Sequence, residues 1–313
     1  MAESVLCSII IVYYDGFDKM QKCLNSISDH APTNVEVVIV NNSHHHHKYA
    51  LKNRKHIVVG DDRNYGYSKG NNIGLSYAKG QYILLLNPDT ELTDRFIEKA
   101  ITILEKYPNI AAIGPKLTDD YNNVQISAFK FPTIKGYILQ DILCLKVNTD
   151  KNSPSAKIKN QAFEENIFKC DWLCGAAILF RKDALICVNG FDTRYFLYYE
   201  DVDLFNKINK AGYDVAYCPS YIVKHCDKDE SGIYSNKFNN ARRIVAHDFS
   251  LMQYWNKYKP EMIPIVRFLV FVRSLSRLVI WVFSPSLKAH AGSNCVNERI
   301  MGYFKSMIMS IIK

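Results

Sequence analysis

Asp89 stands at the place where the sequence most clearly positions a chemical group. Residues 82–86 read YILLL, an unbroken apolar run that is typical of a strand buried on both faces. Asn87, Pro88 and Asp89 end this run. Ligands of open parallel sheets bind beyond the carboxyl ends of the strands, so Asp89 lies where a metal ion or a phosphate is expected. The alternative is that Asp89 caps a helix that starts near Thr93.

A pair of carboxylates, Glu200 and Asp201, begins a stretch with helical periodicity. The apolar residues of one helical face follow the pair and are Val202, Phe205 and Ile208. The helix dipole favours negative charge at this position, so capping alone could account for the pair. Capping does not explain the aromatic residues before it, which are Tyr195, Phe196, Tyr198 and Tyr199. We expect these rings to offer faces for sugar C–H groups and to raise a carboxylate pKa by desolvation.

The elements that must position these acids alternate between strand and helix. Apolar runs predict strands over residues 8–14, 35–40 and 57–59, and a helix fits residues 18–28. Residues 64–80 contain glycines and asparagines that lead into another helix, closed by Gly80. The alternation predicts a parallel α/β sheet with helices on both faces, whose strand ends meet at one edge. Neither the phosphate loop of NTPases nor a GxGxxG fingerprint occurs in this stretch.

The pattern weakens after residue 116 and then resumes. Residues 117–168 combine polar loops with one short apolar segment, which we interpret as an insertion that shapes an acceptor site. Residues 172–180 read as one strand with a small-residue step at 175–177, which lets a backbone or a ligand approach closely. A strand over 215–218 precedes His225, which as a lone histidine could also be an ordinary surface or core residue. The histidines of residues 44–47 read as a solvated loop, because adjacent side chains diverge instead of converging on a metal.

The composition is that of an ordinary globular protein. The 313 residues are 48% hydrophobic and 22% charged, with a formal charge of +8. Nine cysteines, an odd number without paired CxxC spacing, favour reduced thiols in the cytoplasm over a zinc site. The N-terminal residues have no basic segment and no small-residue cleavage site, so we predict a strand there and no secretory signal.

The region from Ala241 onwards is helical, aromatic and basic. Arg267, Arg273 and Arg277 fall within about a third of the helical circumference at ~3.6 residues per turn. No uncharged stretch approaches the ~18 residues that span a bilayer. We expect an interfacial helix with Trp281 in the acyl boundary and the arginines at anionic headgroups. The alternative is packing on the catalytic domain or in a homo-oligomer. Nucleic-acid binding is the least expected use of the charge, because the arginines lie among aliphatic runs.

Six motifs, in this order, resemble the inverting glycosyltransferases of family 2, particularly the rhamnosyltransferase-like branch of the GT-A fold. They are SIIIVYYD, VVIVNNS, NYGYSKGNNIG, LLLNPDT, GFD followed by YYEDVDL, and His225 with Ser231 downstream. The resemblance covers about residues 5–232. It implies a Rossmann-like catalytic domain over residues 1–235, with a nucleotide-binding half up to about 116 and an acceptor half from 117, followed by a helical region over 236–313.

The resemblance also implies roles for single residues. Asp89 matches the ligand of a divalent cation, Mg²⁺ or Mn²⁺, that bridges the nucleotide diphosphate, and His225 helps to hold the metal or the diphosphate. Asp201 matches the catalytic base, with Glu200 as its rival. The implied donor-binding residues are Tyr13, Tyr14, Asp15, Asn41, Asn64, Gly66, Gly70, Asn71, Asn87 and Asp89. The implied acceptor-binding residues are Trp172, Gly175, Tyr198 and Tyr199.

One residue departs from the family pattern, since Asn41 stands where relatives usually have an aspartate that contacts the base. An amide can still bond a pyrimidine edge. The implied reaction is a metal-assisted single displacement with a carboxylate base. It would move L-rhamnose from dTDP-rhamnose to a polyprenyl-pyrophosphate-linked saccharide for cell-surface polysaccharide such as O-antigen, at the inner face of the cell membrane. The alternatives are a UDP-hexose donor, or a non-catalytic nucleotide-sugar-binding protein associated with the membrane.

Overall fold

The structure is a computed structural model in which residues 5–45, 47–52, 54–143, 162–164, 166–226, 240–284 and 293–312 are described. The chain forms two compact units. The first comprises Met1–Phe131, Asn148–Arg194 and Glu200–Asp227, and the second comprises Pro132–Val147, Tyr195–Tyr199 and Lys228–Lys313. The second unit thus combines the C-terminal region with two segments from earlier in the chain. Ser231 lies outside the described residues, as do most of the residues of the predicted insertion from 144 onwards.

The described elements alternate as an α/β protein before the chain becomes helical. The strands are β1 (Cys7–Tyr13), β2 (Val35–Asn41), β3 (His56–Val59), β4 (Tyr82–Leu86), β5 (Thr90–Leu92), β6 (Ile110–Thr118), β7 (Val124–Gln125), β8 (Ala128–Phe129), β9 (Ala162–Glu164), β10 (Ile167–Cys170), β11 (Trp172–Leu173), β12 (Ala177–Arg181) and β13 (Asp214–His225). The helices are α1 (Phe17–His30), α2 (Gly66–Tyr77), α3 (Phe96–Lys106), α4 (Ile134–Tyr137), α5 (Lys182–Cys187), α6 (Glu200–Lys210), α7 (Ala241–Tyr258), α8 (Ile263–Phe283) and α9 (Ser293–Ile311).

The main sheet of the first unit is mixed, whereas the sequence predicts a parallel one. The described strands run in the order β3-β2-β1-β4-β12-β6-β13-β10-β9, and β5 and β7 pair with β13 and β6. β1 is parallel to β2 and β4, but β12 is antiparallel to both β4 and β6. β12 can run in reverse because only parallel neighbours need a crossover connection.

Helices cover both faces of this sheet, as predicted, and the alternation of side chains along β1 shows why. Ile9 and Ile11 belong to a core cluster with residues of α1 and α3, whereas Ile10 belongs to a cluster with residues of α5 and α6. Successive strand residues point to opposite faces, so a strand between two helix layers must be apolar at every position. Every residue of β4 is accordingly buried, as the run YILLL predicts.

Two sequence-based assignments near the site are wrong. No helix starts near Thr93: the chain continues from Asp89 into β5, and α3 begins at Phe96. Residues 172–180 form two strands, β11 and β12, in different sheets. The step of small residues is the turn between them, so it changes the direction of the chain instead of opening the surface of one strand.

The loop at residues 44–47 is present, but its histidines are not all solvated. His44 and His45 are exposed, whereas His47 is partly buried and stacks on Phe17 with ring centroids 4.4 Å apart. His46 lies outside the described residues. Of the described histidines, His47 thus packs on the protein, whereas His44 and His45 face solvent.

The second unit is a helical assembly with a buried polar centre. Arg273 of α8 is 3% exposed and pairs with Asp248 of α7, which is fully buried. Ser306 of α9 also donates to this carboxylate, and the hydroxyls of Ser274 and Ser306 lie 3.1 Å apart. Within the described residues, no helix has the length and hydropathy needed to cross a membrane.

The arginines of α8 contact other parts of the second unit, and Arg273 is too buried to reach a headgroup as expected. Arg273 is buried in the ion pair, Arg267 donates to carbonyls at the end of α9, and Arg277 lies 3.5 Å from the carbonyl of Asp141. Trp281 is 8% exposed, with the guanidinium of Arg299 4.4 Å above its ring. The cationic side of α8 turns inward because Arg273 pairs there with the buried carboxylate of Asp248. A helical projection of α8 alone does not reveal this partner.

Candidate active site

Asp89 and His225 face each other at one edge of the first unit. Asp89 follows β4, and His225 is the last residue of β13. The pairing of β5 with β13 sets Thr90 opposite His225. It brings Nε2 of His225 to 3.5 Å from Oδ1 of Asp89. The backbone supports the same arrangement, since the N–H of Cys226 donates to the carbonyl of Asp89 at 2.8 Å.

Gln125 determines which nitrogen of His225 carries the proton in the neutral ring. Nε2 of Gln125 donates to the carbonyl of His225 at 3.0 Å, so Oε1 is the atom that faces Nδ1, at 2.7 Å. An amide oxygen can only accept, and Nδ1 must therefore donate. Nε2 of His225 is then left with a lone pair that points towards Asp89. A hydrogen bond of this kind usually supports a histidine that binds a metal.

The opposed oxygen and nitrogen need a positive charge between them. Oδ1 of Asp89 is buried and faces Nε2 of His225. Two acceptors 3.5 Å apart are satisfied either by a proton on Nε2 or by a metal cation. Burial acts to raise the pKa of Asp89, but a hydrogen bond from His225, a positive charge on that ring and the ammonium of Lys19 outweigh it and lower that pKa. The carboxylate is thus kept charged, as a metal ligand must be.

The residues at this edge fit a metal that also binds a diphosphate. Across the described residues, no three His, Cys, Asp or Glu side chains converge as a complete metal site. Mg²⁺ is usually held by one or two carboxylates together with substrate phosphates, and does not need a full protein cage. Asp89 and His225 would therefore be completed by phosphate oxygens of a donor.

Glu200 and Asp201 occupy the first turn of α6, where the sequence places them. Glu200 is 8% exposed, and Asp201 is more open to solvent. Oδ1 of Asp201 accepts a hydrogen bond from the N–H of Val202 at 2.8 Å, so capping explains part of its position. Tyr198 and Tyr199, just before the pair, have φ values of 69° and 65°. Such left-handed backbone is rare for bulky residues and is concentrated at functional sites.

One loop of the first unit, residues 174–176 between β11 and β12, lies beside Asp89. The carbonyl of Ala176 accepts a hydrogen bond from the N–H of Asn87 at 2.8 Å. Asn87 is two residues before Asp89, so this bond fixes the loop against the end of β4.

The same loop also contacts Tyr67. The carbonyl of Gly175 accepts a hydrogen bond from the hydroxyl of Tyr67 at 2.7 Å. Burial is the main cause that raises the pKa of Tyr67, and the negative charges of Glu200 and Asp201 raise it further. The loop thus connects the end of β4 with a tyrosine that is influenced by the charge of the acidic pair.

Some of the predicted donor-binding residues are accessible at the edge of the sheet. Tyr14 is 56% exposed directly after β1, and Asp15 is exposed beside it. Asn64 is exposed, and its Oδ1 accepts a hydrogen bond from the N–H of Gly66, the first residue of α2. Asn87 is partly buried between β4 and Asp89. These positions leave polar groups and one ring open to a ligand.

The other predicted donor-binding residues are engaged in packing. Tyr13 is buried and lies edge-on to His47, with ring centroids 5.6 Å apart. A Cβ on Gly70 would lie 2.7 Å from Cγ1 of Val12, so this glycine lets α2 pack closely on β1. Asn71 is buried and donates to the carbonyl of Tyr67 at 3.0 Å. Asn41, also buried, bonds to its own neighbours. The side chains of Tyr13, Asn71 and Asn41 thus contact the protein itself, and Gly70 serves helix packing.

The predicted acceptor-binding residues divide between the two units. In the first unit, Trp172 stacks on Phe129 with ring centroids 4.2 Å apart, and a Cβ on Gly175 would lie 3.2 Å from the hydroxyl of Tyr67. The close approach expected at Gly175 is therefore made by Tyr67. In the second unit, the rings of Tyr198 and Tyr199 lie edge-on to His247, at 5.7 and 5.5 Å. Their described ring contacts are with α7.

Three residues of the site were not predicted from the sequence: Gln125, Tyr67 and Lys19. Gln125 lies in a two-residue strand within the stretch that reads as an insertion, so no periodicity marks it. Tyr67 lies inside the motif NYGYSKGNNIG, in which the glycines and asparagines, and not the tyrosine, were interpreted as binding residues. Lys19 donates to the carbonyl of Cys226 at 2.9 Å, across a long sequence separation that only the fold reveals.

Comparison with known proteins gives the family of the chain. Glycosyl transferase family 2 matches residues 8–185. The chain belongs to this family. Rhamnosyltransferase WbbL of Escherichia coli is 27% identical over 239 residues, which are 74% of this chain and 87% of that protein. The N-acetylglucosaminyl-diphospho-decaprenol L-rhamnosyltransferase of Mycobacterium tuberculosis is 29% identical over 151 residues, which are 48% of each chain. That match therefore spans about half the length of the mycobacterial relative.

Solved structures of glycosyltransferases share the fold of this family 2 chain. The mannosyltransferase PcManGT of Pyrobaculum calidifontis, solved with GDP-Man and Mn²⁺, has a TM-score of 0.53 and 14% identity, covering 98% of this chain and 87% of its own. GalNAc-T7, solved with UDP, GalNAc and Mn²⁺, has a TM-score of 0.54 and 15% identity, covering 97% and 55%. At these identities the likeness concerns the fold alone. It confirms the α/β GT-A class with a C-terminal helical region.

Proposed function

We propose that this family 2 glycosyltransferase transfers L-rhamnose, with inversion, from dTDP-rhamnose to a polyprenyl-pyrophosphate-linked saccharide in cell-surface polysaccharide synthesis. The observation that carries the proposal is the Asp89–His225 pair, whose facing oxygen and nitrogen, 3.5 Å apart, would fit a divalent cation. The names of the Escherichia coli and mycobacterial relatives support rhamnose as the sugar, and the mycobacterial name supports a lipid-diphosphate acceptor.

The residues divide the work of a single displacement. Asp89 and His225 would hold a divalent cation, Mg²⁺ or Mn²⁺, and Gln125 keeps the lone pair of His225 directed towards it. When bound, the cation supplies Lewis-acid stabilisation of negative charge on the departing diphosphate. Asp201 takes the proton of the attacking acceptor hydroxyl. Glu200, which is more buried, adds a second negative charge to the first turn of α6. One base without an enzyme nucleophile gives inversion.

Substitution of the base tests the proposal. Turnover of dTDP-rhamnose with a polyprenyl-linked disaccharide is expected to fall about 10²- to 10⁴-fold in Asp201→Asn, with nucleotide binding retained. Glu200→Gln serves as the matched amide variant and is expected to lose less. A larger loss in Glu200→Gln would move the base to Glu200. Turnover by the wild type with UDP-hexoses alone would replace the donor, and no turnover with any nucleotide sugar would favour a binding protein.

We further propose that the second unit contacts the inner face of the cell membrane through apolar stripes and not through the arginines of α8. On α8 five of the exposed apolar residues share one face, opposite to the arginines, and are Ile265, Phe268, Leu275, Val279 and Phe283, whereas Ile280 and Val282 are exposed outside this stripe. On α9 the same spacing exposes Met301, Phe304, Ile308 and Ile311. The exposed cations of the unit, including Arg242, Arg243, Lys259 and Lys305, suit anionic lipid.

Replacement of two exposed phenylalanines by glutamate tests the membrane contact. Phe268 and Phe283 are 64% and 76% exposed, so glutamate at both positions is expected to spare the fold and to reduce co-sedimentation with phosphatidylglycerol vesicles at least about tenfold. The control carries the same two charges in the first unit, at Tyr77 and Ile186, which are 50% and 58% exposed. Equal sedimentation of the two double variants would remove this contact from the proposal.

A further inference from the structure

Tyr67 and Asn72 lie on α2, and each bonds to a loop that comes much later in the chain. The hydroxyl of Tyr67 donates to the carbonyl of Gly175 at 2.7 Å. Asn72 bonds to both backbone groups of Phe191: its Nδ2 donates to the carbonyl at 2.8 Å, and its Oδ1 accepts from the N–H at 2.9 Å. The rings of Tyr67 and Phe191 lie edge-on, with centroids 6.0 Å apart. α2 therefore holds two separate loops of the first unit.

The first of these loops, residues 174–176, is also bonded to the end of β4. The carbonyl of Ala176 accepts from the N–H of Asn87, which precedes the candidate metal ligand by two residues. The N–H of Cys174 donates to the carbonyl of Ser127 at 2.8 Å. Each residue of the loop thus has a backbone hydrogen bond to a different element, so a displacement of the loop on α2 is transmitted to the end of β4.

The second loop, residues 188–191, is also bonded to α6. The ammonium of Lys207 donates to the carbonyl of Val188 at 2.9 Å and to the carbonyl of Gly190. Gly190 has a φ of +57°, and a Cβ there would lie 2.5 Å from Oδ1 of Asn72, so glycine allows this close approach to α2. The first turn of α6 carries the acidic pair. The loop therefore joins α2 to the helix that carries the candidate base.

Tyr67 is a hydrogen-bond donor at this site and not an acid or a base. Burial raises the pKa of Tyr67 well above the ordinary value of a phenol, and the negative charges of Glu200 and Asp201 raise it further. The hydroxyl therefore stays protonated at neutral pH, and its proton points to the carbonyl of Gly175. Its contribution is the position of that carbonyl.

We infer that Tyr67 and Asn72 are positioning residues, through which α2 fixes both the loop bonded to the end of β4 and the loop bonded to α6. The helix thereby keeps the candidate metal ligand Asp89 and the candidate base Asp201 in register. A misplacement of about 1 Å, even from a change remote from the chemistry, can lower a rate about 10²-fold. The inference rests on the proposed function and deepens it, because it names two residues that support the same reaction without contacting its substrates.

Removal of the Tyr67 hydroxyl tests the inference. The assay uses the nucleotide sugar that the wild type turns over, expected to be dTDP-rhamnose. In Tyr67→Phe the kcat is expected to fall about 10- to 100-fold. The KM for the donor and the Kd of dTDP with Mn²⁺ are expected to stay within about twofold, because the variant loses positioning and no donor contact. Tyr77→Phe is the control, since Tyr77 is the last residue of α2 and is 50% exposed.

Asn72→Ala tests the second loop in the same assay. We expect the same division, with a lower kcat and an unchanged Kd of dTDP with Mn²⁺, because Asn72 also bonds only to the protein. Asn25→Ala is the control, since Asn25 is exposed on α1 and accepts a hydrogen bond from Gln21. Thermal unfolding of each variant accompanies the kinetics. A merely structural role would lower kcat and nucleotide affinity together, and that result would overturn the inference.

A double-mutant cycle with the base shows where the hydroxyl acts. If Tyr67 positions Asp201, then Tyr67→Phe is expected to cost no more than about twofold in the Asp201→Asn background, because residues that act as one unit are not additive. The full 10- to 100-fold loss in that background would show that the hydroxyl acts elsewhere, and it would overturn the inference.

The outcomes separate the inference from the function on which it rests. Equal kcat values in Tyr67→Phe and in the wild type would overturn the inference and leave the function standing. A wild type that turns over no nucleotide sugar would overturn the proposed function, and the inference with it.

Discussion

At the scale of residues, the chemistry of the site depends on how each functional group is oriented by a neighbour. His225 is useful to a cation only if Nε2 carries the lone pair, and Gln125 secures this by donating to the histidine carbonyl while accepting from Nδ1. The backbone of Phe191 is held in the same manner by the amide of Asn72. In both cases an uncharged amide, bonded at both ends, fixes a group that could otherwise move.

Gln125→Leu is expected to weaken Mn²⁺ binding about 10- to 100-fold, because loss of the partner that orients a metal-binding histidine typically has this effect. Leucine keeps the approximate volume but removes both hydrogen bonds. The affinity is measured by electron paramagnetic resonance of free Mn²⁺ with dTDP present. Gln21→Leu is the control, since Gln21 bonds to Asn25 and Ala50 on the surface. Equal affinities in the two variants would show that Gln125 does not position His225.

At the scale of elements, the long strand β13 and the tight turn before β4 bring the site together. β13 pairs with β6 along its length, with a register shift between Cys218 and Ile222, and its last residues pair with β5. An irregularity of this kind bends a strand and re-aims the side chains after it. His225 reaches Asp89 because β13 continues past this bend, well beyond the residues 215–218 that the sequence predicts as a strand.

Gly80→Ala is expected to lower the free energy of unfolding by about 1–3 kcal/mol, the usual cost of overpacking. Gly80 precedes β4, and a Cβ there would lie 2.5 Å from the backbone nitrogen of Ser8 and 2.7 Å from the carbonyl carbon of Cys7. Both are backbone atoms at the start of β1, and they cannot move without shifting the strand. Urea denaturation measures the change, and Lys79→Ala, at an exposed neighbouring position, is the control. Equal urea midpoints for Gly80→Ala and Lys79→Ala would mean that the turn before β4 accommodates the added Cβ.

At the scale of the whole molecule, the two compact units have cores of different kinds. The first is held by apolar clusters on both faces of a sheet, and the second has the ion pair of Asp248 and Arg273 at its centre. Burial acts to raise the pKa of Asp248, but the charge of Arg273 and the neighbouring His247 and Ser306 outweigh it and lower that pKa. One of the chain's several crossings between the units falls between Tyr199 and Glu200, next in sequence to the candidate base.

Arg273→Met is expected to lower the stability of the second unit by about 3–5 kcal/mol at neutral pH, because it leaves a buried carboxylate without its partner. The lowered pKa means that the wild-type pair stabilises the fold above the ordinary value of ~3.9 and that this contribution is lost as the pH falls through the lowered pKa. The difference between variant and wild type should therefore shrink in acid.

Urea denaturation between neutral and acidic pH, followed by the fluorescence of Trp255 and Trp281 in the second unit, measures this difference. Arg243→Met is the control, because Arg243 is exposed on α7. A loss of stability in Arg273→Met that stays constant with pH would indicate lost packing in place of an uncompensated charge.

The sequence by itself was sufficient for the α/β class, the buried strand before Asp89, the acidic pair at the start of α6 and the helical C-terminal region. These features follow from local periodicity and from the ends of apolar runs, which a single element expresses on its own. The ordered motifs added the family, which the comparisons confirm.

Only the tertiary structure decided the reversed direction of β12, the inward turn of the α8 arginines, and the partners of His225 and Asn72. Each of these depends on residues far apart in the chain, such as Gln125 with His225 or Asp248 with Arg273. A helical projection or a strand pattern shows which residues share a face. It does not show whether the neighbouring element carries a buried charge that pairs with them. Distant pairing decides that question, and no local pattern in the chain encodes it.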